Sequence, residues 1–324
     1  MNNKIKFFQS RLIILFLLII VSLPHSLLAE ENSKSIFNYS ITTGIEGSSG
    51  SVLELLYNNE ELTSLLKWKE YFSPSIFIGT DFYWGNFLLD SKVKVAIPTL
   101  SGTLTDLDYL LSDSTDISNY SLHKNYTNFD FVGSVKFGYS FKINENNFSV
   151  TPFAGATFEA RQFSGQDGYY QYPTTSTAWT GNEEKTYLFG TIISYEQYLF
   201  YPYLGVEASA KIKNKNRLNF SISYLPFVKI NAFDSHYMRL LKFYDDLTSG
   251  IGFDSLLSFL WCPFKTKENS FFEAGIGYKM FTAYGETGTA AIGKNSGDYI
   301  LQDDYSAGSS TKELYYYFAF TYKP

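Results

Sequence analysis

Apolar and polar residues alternate with a period of two along much of this 324-residue chain. Between Phe129 and Phe141 every second residue is aromatic, valine or glycine, and the residues between them are mostly polar. A β-strand directs successive side chains to opposite faces, so this segment has one apolar face and one polar face. Weaker versions of the pattern recur at 218–224, 271–278 and 316–322. The period therefore predicts a chain built from β-strands.

Strand length and the spacing of the connections distinguish a membrane barrel from a soluble β-sandwich. Several alternating runs exceed the about 5–6 residues usual in soluble sheets and reach the about 9–11 that cross a tilted barrel wall. Short polar links alternate with long connections, as they do in outer-membrane barrels. The short links lie at 85–86, 144–147, 213–216 and 265–269, and the long connections lie near 99–124, 164–184, 232–248 and 285–310.

These strands and links predict an all-β fold, namely a ten-stranded antiparallel transmembrane β-barrel with long extracellular loops and short periplasmic turns. An even number of antiparallel strands can close into a ring, and closure leaves no exposed strand edge. We expect the apolar face to contact outer-membrane lipid, which is the predicted partner of the outer surface. Phe129, Phe131, Val135 and Phe137 are the clearest lipid-facing candidates.

The first 29 residues have the organisation of a secretory signal peptide. Three basic residues precede an apolar run from Leu12 to Val21, and the small Ala29 comes just before Glu30. The apolar run is shorter than the about 20 residues of a membrane-spanning helix. We therefore expect residues 1–29 to be removed and residues 30–324 to form a single barrel domain in the cell outer membrane.

Composition narrows the expected functions. The formal net charge is −6 and becomes more negative once the basic segment 1–29 is removed, and such an acidic chain is a poor nucleic-acid binder. The single cysteine, Cys262, excludes an intramolecular disulfide and a thiolate metal cluster. The usual signatures of serine hydrolases, zinc proteases and phosphate-binding loops are absent from the sequence. We expect a monomer with no nucleic-acid partner.

Histidine is scarce, and only His123 and His236 follow the predicted signal peptide, both within predicted external loops. His236 comes two residues after Asp234, so on an extended segment the carboxylate and the imidazole share one face. A carboxylate in that position orients the ring and stabilises its protonated form, which makes the imidazole a usable general base. The alternative is a solvated loop histidine.

Two aspartates in the first long connection have the same two-residue spacing. Asp106 and Asp108 point the same way on an extended stretch, and two close carboxylates do not both ionise easily. Such a pair suits acid–base chemistry or a calcium site. The alternative is that both are solvated loop acids.

Together these segments resemble the omptin family of outer-membrane endopeptidases, which are ten-stranded barrels. The resemblance keeps the same order through nearly the whole mature chain and is carried by five short motifs. They are Glu54 near the end of the first strand, Leu66-Lys67-Trp68-Lys69, Asp106-Leu107-Asp108-Tyr109, Thr115-Asp116-Ile117-Ser118 and Asp234-Ser235-His236-Tyr237.

The resemblance implies an aspartic-type endopeptidase, a hydrolase acting at the extracellular mouth of the barrel. Asp234 is expected to orient His236. A water held between His236 and Asp106 then attacks the peptide carbonyl without a covalent intermediate, and Asp108 supports Asp106. The expected substrates are peptides or proteins, and no metal or other cofactor is implied.

Substrate selection is also implied by the resemblance. Glu54 is expected to attract a cationic side chain of the substrate, and Asp116 is expected to attract the next residue across the cleaved bond. The family's second pocket acid is replaced here by Ala232, so Glu54 is expected to be the only carboxylate of the pocket. The preference for Lys or Arg should then relax, and neutral residues should be accepted as well.

A lipopolysaccharide-like lipid is the activator that the resemblance suggests. The family's lipid-binding stretch has a Glu and an Arg two residues apart, and Glu159-Ala160-Arg161 is similar to it. The apolar positions around this segment fall in the other phase, which turns Glu159 and Arg161 inward. We therefore do not carry the lipid site over to these residues.

Two other functions stay open at this point. The first is a non-enzymatic barrel, either an adhesin or a small pore, although the lumen of a ten-stranded barrel is expected to be largely filled by side chains. The second is a lipid-modifying barrel enzyme that uses His123 with a loop serine such as Ser121.

Overall fold

The computed structural model describes residues 37–112, 114–143, 147–212, 216–263, 269–292 and 299–324. The expected signal peptide lies outside these residues. Within them no helix is long and apolar enough to span a membrane. The strands are β1 (Phe37–Asn58), β2 (Glu61–Trp84), β3 (Phe87–Ala96), β4 (Thr99–Asp108), β5 (Asn119–Tyr139), β6 (Phe141–Ile143), β7 (Phe148–Gln171), β8 (Thr186–Lys211), β9 (Arg217–Leu225), β10 (Lys229–His236), β11 (Leu241–Trp261), β12 (Ser270–Ala291) and β13 (Ile300–Tyr322).

The strands form a closed antiparallel ring. Three long strands each have a local break that divides them in two: β3 with β4, β5 with β6, and β9 with β10. Pro98 and Pro226 lie in two of these breaks, where a residue without a backbone N–H interrupts the ladder. Ten long strands remain, and β1 pairs with both β2 and β13. The ten-stranded antiparallel fold predicted from the alternation is confirmed.

The outer surface carries the apolar face of the alternation. Phe129, Val135 and Phe137 are exposed on it, as are alternate residues of β9 and β13. Phe131 follows the same phase but is only 7% exposed, so the expectation that it lies open to lipid is wrong. In the cross-strand register Phe131 lies between Val95 of β3 and Ala160 of β7. Side chains of directly opposed residues project to the same face, so these two neighbours lie beside the Phe131 ring.

Charged residues mark one edge of the apolar belt. Along β2 the exposed residues change from Ile78 and Ile76, through Tyr71, to Lys69 and Lys67. Aromatic side chains are typical of the membrane interface, and lysines facing lipid are costly within the hydrocarbon. The strands therefore continue beyond the bilayer from about the level of Lys69.

The predicted long connections are shorter than expected, because strands occupy much of them. Segment 99–124 contains β4 and the start of β5, and segment 232–248 contains the end of β10 and the start of β11. His123 and His236 consequently lie on strands and not in external loops, which corrects the sequence prediction. At this end of the barrel the connections are 59–60, 109–118, 172–185, 237–240 and 292–299, and we call it the loop end.

The opposite end carries the short turns. Gly85 and Asn86 form the tight turn between β2 and β3, as predicted, and Gly85 has the positive φ of 60° that such a turn favours. The other three predicted short links fall largely on residues outside the described ranges. The strands on either side of each link pair with each other, β6 with β7, β8 with β9 and β11 with β12.

Side chains fill the barrel interior beneath the loop end. Trp68 is fully buried, and its ring stacks on Phe163 and on Tyr195 with centroids 5.8 Å apart in each case. Closer to the short turns, Arg161 pairs with Glu159 at 3.3 Å. Both side chains are buried inside the barrel, so the inward orientation expected for them is confirmed. An apolar layer above an ion-paired layer is poorly suited to an open pore.

Candidate active site at the loop end

A cavity of about 990 Å³ opens at the loop end and is lined by several of the predicted site residues. We call it the acidic cleft. Its ionisable walls include Glu54 of β1, Asp108 of β4, Asp234 and His236 of β10, Arg239 of the 237–240 turn and Asp245 of β11. Glu54 lies three residues beyond Ser51, which pairs with Lys69, so the cleft lies outside the membrane-spanning part.

Asp234 and His236 form a hydrogen-bonded pair. The two-residue spacing on β10 puts both side chains on the inner face, and the Asp234 Oδ2 atom is joined to the Nε2 atom of His236. Phe243 is the cross-strand partner of Asp234, and its ring meets the imidazole edge-on at a centroid distance of 5.4 Å. The carboxylate and the phenyl ring together fix the orientation of the imidazole.

The negative charge of Asp234 raises the pKa of the His236 imidazole. Burial by itself lowers the pKa of His236, but the Asp234 carboxylate and, more weakly, Asp106 raise it above its ordinary value of 6.5. A charged partner of opposite sign favours the protonated ring. The imidazole of His236 is therefore a stronger base than a free histidine side chain.

Asp106 and Asp108 both face inward from β4, as their spacing predicted. Asp108 has polar partners, since Asn119 Nδ2 donates to its Oδ2 atom at 3.2 Å and Arg239 Nη2 lies 3.9 Å from the same oxygen. Asp106 is 7% exposed and is not itself part of the cleft wall, but it lies opposite Leu66, which lines the cleft. Burial, followed by the negative charge of Asp108, raises the pKa of Asp106 to about 7. The pair can therefore hold one proton near neutral pH.

The two pairs belong to one electrostatic unit, although they come from strands far apart in sequence. His236 lowers the pKa of Asp106, and Asp106 raises the pKa of His236. Such mutual effects need proximity in a poorly solvated space. The fold thus brings the Asp pair and the Asp–His pair to the same end of the same lumen.

Glu54 lies on the wall formed by β1 and is 8% exposed. Its Oε2 atom is buried and has no hydrogen-bond partner among the residues that the structure describes. Burial, then the charges of Asp234 and Asp245, raises the pKa of Glu54 well above its ordinary value. This carboxyl group is therefore available to a ligand.

Asp245 was not identified from the sequence. It faces the cleft from β11 and is 4% exposed, and its cross-strand neighbours are Ala232 of β10 and Thr287 of β12. The Thr287 hydroxyl donates to Asp245 Oδ1 at 2.7 Å. Burial raises the pKa of Asp245 to about 7. Glu54 is therefore not the only carboxylate in this wall, because Asp245 also lines the cleft, next to Ala232. Which carboxylates meet the substrate stays a prediction.

Asp116 is not brought to the cleft. It lies exposed in the 109–118 loop, where the Ser114 hydroxyl donates to its Oδ2 atom at 3.0 Å. It is absent from the residues lining the acidic cleft. Its expected part in substrate selection stays a prediction.

Ser121 and His123 lie beneath the cleft and not in a loop. Ser121 is opposite Asp106 in the register of β4 and β5, and its hydroxyl is 2.9 Å from His123 Nε2. The other ring nitrogen of His123 meets the backbone carbonyl of Asp167. Both side chains are 3% exposed. Burial of this pair leaves no room for a lipid substrate, which argues against the lipid-modifying alternative.

We searched the described ranges for a cluster of side chains that could bind a metal ion. No group of three or more His, Cys, Asp or Glu residues there is arranged to hold a metal ion. The cation that lies closest to Asp108 is the guanidinium of Arg239.

Comparisons with known proteins agree with this architecture. The sequence profile of the Omptin family matches residues 35–323. The plasminogen activator of Yersinia pestis is 26% identical over 289 residues, which cover 86% of this chain and 87% of that protein. The crystal structure of the outer membrane protease OmpT from Escherichia coli superposes with a TM-score of 0.79 at 16% identity and covers 91% of this chain and 99% of that chain. The structural likeness at this identity shows the fold.

Proposed function

The chain belongs to the omptin family, and on that premise we propose that it is an outer-membrane endopeptidase of the aspartic type whose acidic cleft faces the cell exterior. Family membership and the protease relatives support a hydrolase acting on peptides or proteins. The hydrogen-bonded pair of Asp234 and His236 in the wall of the acidic cleft is the observation that carries the assignment of the site. The apolar belt and the short turns opposite the cleft support the orientation.

The chemistry follows from the two pairs. Asp234 engages Nε2 of His236, so Nδ1 is the ring nitrogen that accepts a proton from water. The hydroxide attacks the carbonyl carbon of the peptide, and the protonated form of Asp106 donates a hydrogen bond that orients the reacting oxygen. When the C–N bond breaks, the imidazolium returns its proton to the leaving amine. The negative charge of Asp108 raises the pKa of Asp106, and this keeps the carboxyl group of Asp106 protonated.

The cleft accounts for the class of substrate. Five carboxylates line it among the described residues, at Glu54, Glu61, Asp108, Asp234 and Asp245, against one arginine. A peptide with a cationic side chain beside the cleaved bond is therefore favoured electrostatically. We expect Glu54 to meet that side chain, and we retain Asp116 as a weaker contact on the other side of the bond.

A lipopolysaccharide-like lipid is retained as the expected activator, and the protein is expected to act as a monomer. Outer-membrane lipid contacts the exposed apolar belt. Glu159 and Arg161 are excluded as its binding residues, because both point into the barrel and are engaged there.

The test is peptide cleavage by refolded protein in detergent, with and without lipopolysaccharide, using a mixed peptide library read by mass spectrometry. Asp106→Ala, Asp234→Ala and His236→Ala should each lower kcat/KM by about 10²–10⁴-fold. Asp246→Asn is the matched control, since Asp246 neighbours Asp245 in sequence but makes its contacts outside the cleft, with Asn231 and Lys229. A His236→Ala protein that is folded and retains more than about a tenth of wild-type activity contradicts the proposal.

A further inference from the structure

We infer that Asp245 and Glu54 together form a two-carboxylate pocket for a cationic side chain of the substrate, with Asp245 replacing the acid that is missing at Ala232. The inference rests on the proposed endopeptidase function and names the residue that sets its specificity.

The placement of Asp245 comes from the hairpin of β10 and β11. Ala232 and Asp245 are direct cross-strand partners. Side chains of directly opposed residues project to the same face, with Cβ atoms about 4.5–5.5 Å apart. The Asp245 carboxylate therefore lies next to Ala232, and Asp245 itself lines the cleft.

Glu54 and Asp245 lack the cation that the ion-paired carboxylates deeper in the barrel have. Glu159 is paired with Arg161 and Lys279, and Glu313 with Lys279. Neither Glu54 nor Asp245 has an ion-pair partner among the residues described here. A buried carboxylate without a cation is unfavourable unless it is protonated or awaits a charged ligand.

The unpartnered oxygen of Glu54 points to a ligand. Oε2 is buried and meets no donor in hydrogen-bond geometry among the described residues, although the indole N–H of Trp68 is near enough to lower the pKa of the carboxyl group. Asp245 has one oxygen engaged by Thr287, which fixes its orientation and leaves Oδ2 for a second partner. Two free carboxylate oxygens from different strands match the forked donors of a guanidinium, or the three donors of an ammonium group.

The charge balance of the pocket agrees with a cationic occupant. Each carboxylate is destabilised by burial and Glu54 also by the nearby negative charge of Asp245, so the pKa of both groups is raised in the empty cleft. A bound guanidinium or ammonium reverses that effect, because an opposite charge favours the ionised carboxylates. Binding of such a ligand should therefore release protons at neutral pH.

The pocket is distinct from the hydrolytic pairs. Asp245 lies opposite Ala232, whereas the residue opposite Asp234 is Phe243, two positions earlier on β11. The Asp245 carboxylate is bonded to Thr287 and makes no hydrogen bond to His236. Asp245→Asn keeps the shape and a hydrogen-bond acceptor for Thr287, so it changes selection and leaves the hydrolytic groups in place.

The experiment compares peptides that differ only in having arginine or its neutral isostere citrulline before the cleaved bond. Wild type should prefer the arginine peptide, and Asp245→Asn should lower the ratio of kcat/KM values by about 10–100-fold, the range expected for hydrogen bonds to a charged group. The citrulline peptide gives each protein its own reference rate, so that only the arginine-to-citrulline ratio is compared between them. Asp246→Asn, the neighbouring control, should keep the wild-type ratio, and the double change Ala232→Asp with Asp245→Asn should restore it.

Two results overturn the inference. If Asp245→Asn cleaves peptides with the wild-type ratio, the pocket is wrong while the endopeptidase function stands. If wild type cleaves no peptide, the function fails, and the pocket is then judged by binding of N-acetyl-arginine amide followed by tryptophan fluorescence. Binding by wild type but not by Asp245→Asn supports the pocket, and equal binding by both proteins overturns it.

Discussion

Arg239 gives a test of how the cleft sets its own pH dependence. Its guanidinium lies 3.9 Å from Asp108 Oδ2 and lowers the pKa of Asp106 and of His236. Arg239→Gln removes the positive charge. The carboxylate of Asp106 then loses a stabilising cation, and the imidazolium of His236 loses a repulsive one, so the pKa of both groups rises.

The size of the effect follows from exposure. The Arg239 side chain is about half exposed, at 48%, so its ion pair is worth about 0.2–1 kcal/mol after screening by solvent. One pKa unit corresponds to about 1.36 kcal/mol, so the acid limb of the kcat/KM profile should move by at most about 0.7 pH unit. In wild type this limb should have its midpoint above 6.5, because the pKa of His236 is raised.

The assay is kcat/KM against pH for one arginine peptide at constant ionic strength, since salt screens exposed charges. The midpoint of the pH profile reports the pKa of the titrating group. The height of its plateau is a separate quantity, because it also changes when substrate binding changes. Arg239→Lys keeps the charge and should restore most of the wild-type midpoint. A midpoint that stays fixed or moves to lower pH in Arg239→Gln refutes the assignment of His236 as the base.

Three further expectations concern the fold around the cleft. Trp68→Ala should lower the free energy of unfolding in detergent by about 3–5 kcal/mol, because a fully buried ring stacked on two others is lost, and denaturant titration measures this. His123→Ala should cost about 1–3 kcal/mol by leaving the Ser121 hydroxyl unpaired, yet keep cleavage within about tenfold of wild type, and both are read on the same refolded sample. A spin label at Phe137 should be more accessible to oxygen than one at Lys136, and equal accessibility contradicts the lipid-facing assignment.

The alternation of apolar and polar residues was sufficient to predict ten antiparallel strands, because lipid on one side and a filled lumen on the other impose a strict period of two. The same alternation did not predict the strand segments that extend beyond the membrane. At Lys67 and Lys69 the outward face becomes polar, so strand segments there resemble loops in sequence. The lengths of β4, β10 and β11 were underestimated for this reason.

The site was predictable where its geometry is local. The spacing of two residues put Asp106 with Asp108, and Asp234 with His236, on single inner faces. Asp245 was missed because its relation to Ala232 depends on cross-strand register, which is set by where the 237–240 turn falls. A hairpin with that turn places residue 245 opposite residue 232, so locating the turn would have revealed the second acid.

The most direct test of the account is a double-mutant cycle of Asp106→Ala and His236→Ala in purified, folded protein, measured as kcat/KM on one arginine peptide. If both side chains act on one water, each single variant should lose about 10²–10⁴-fold, and the double variant should be little worse than either. Losses that multiply in the double variant, or a single variant that cleaves at near wild-type rate, contradict a shared hydrolytic unit.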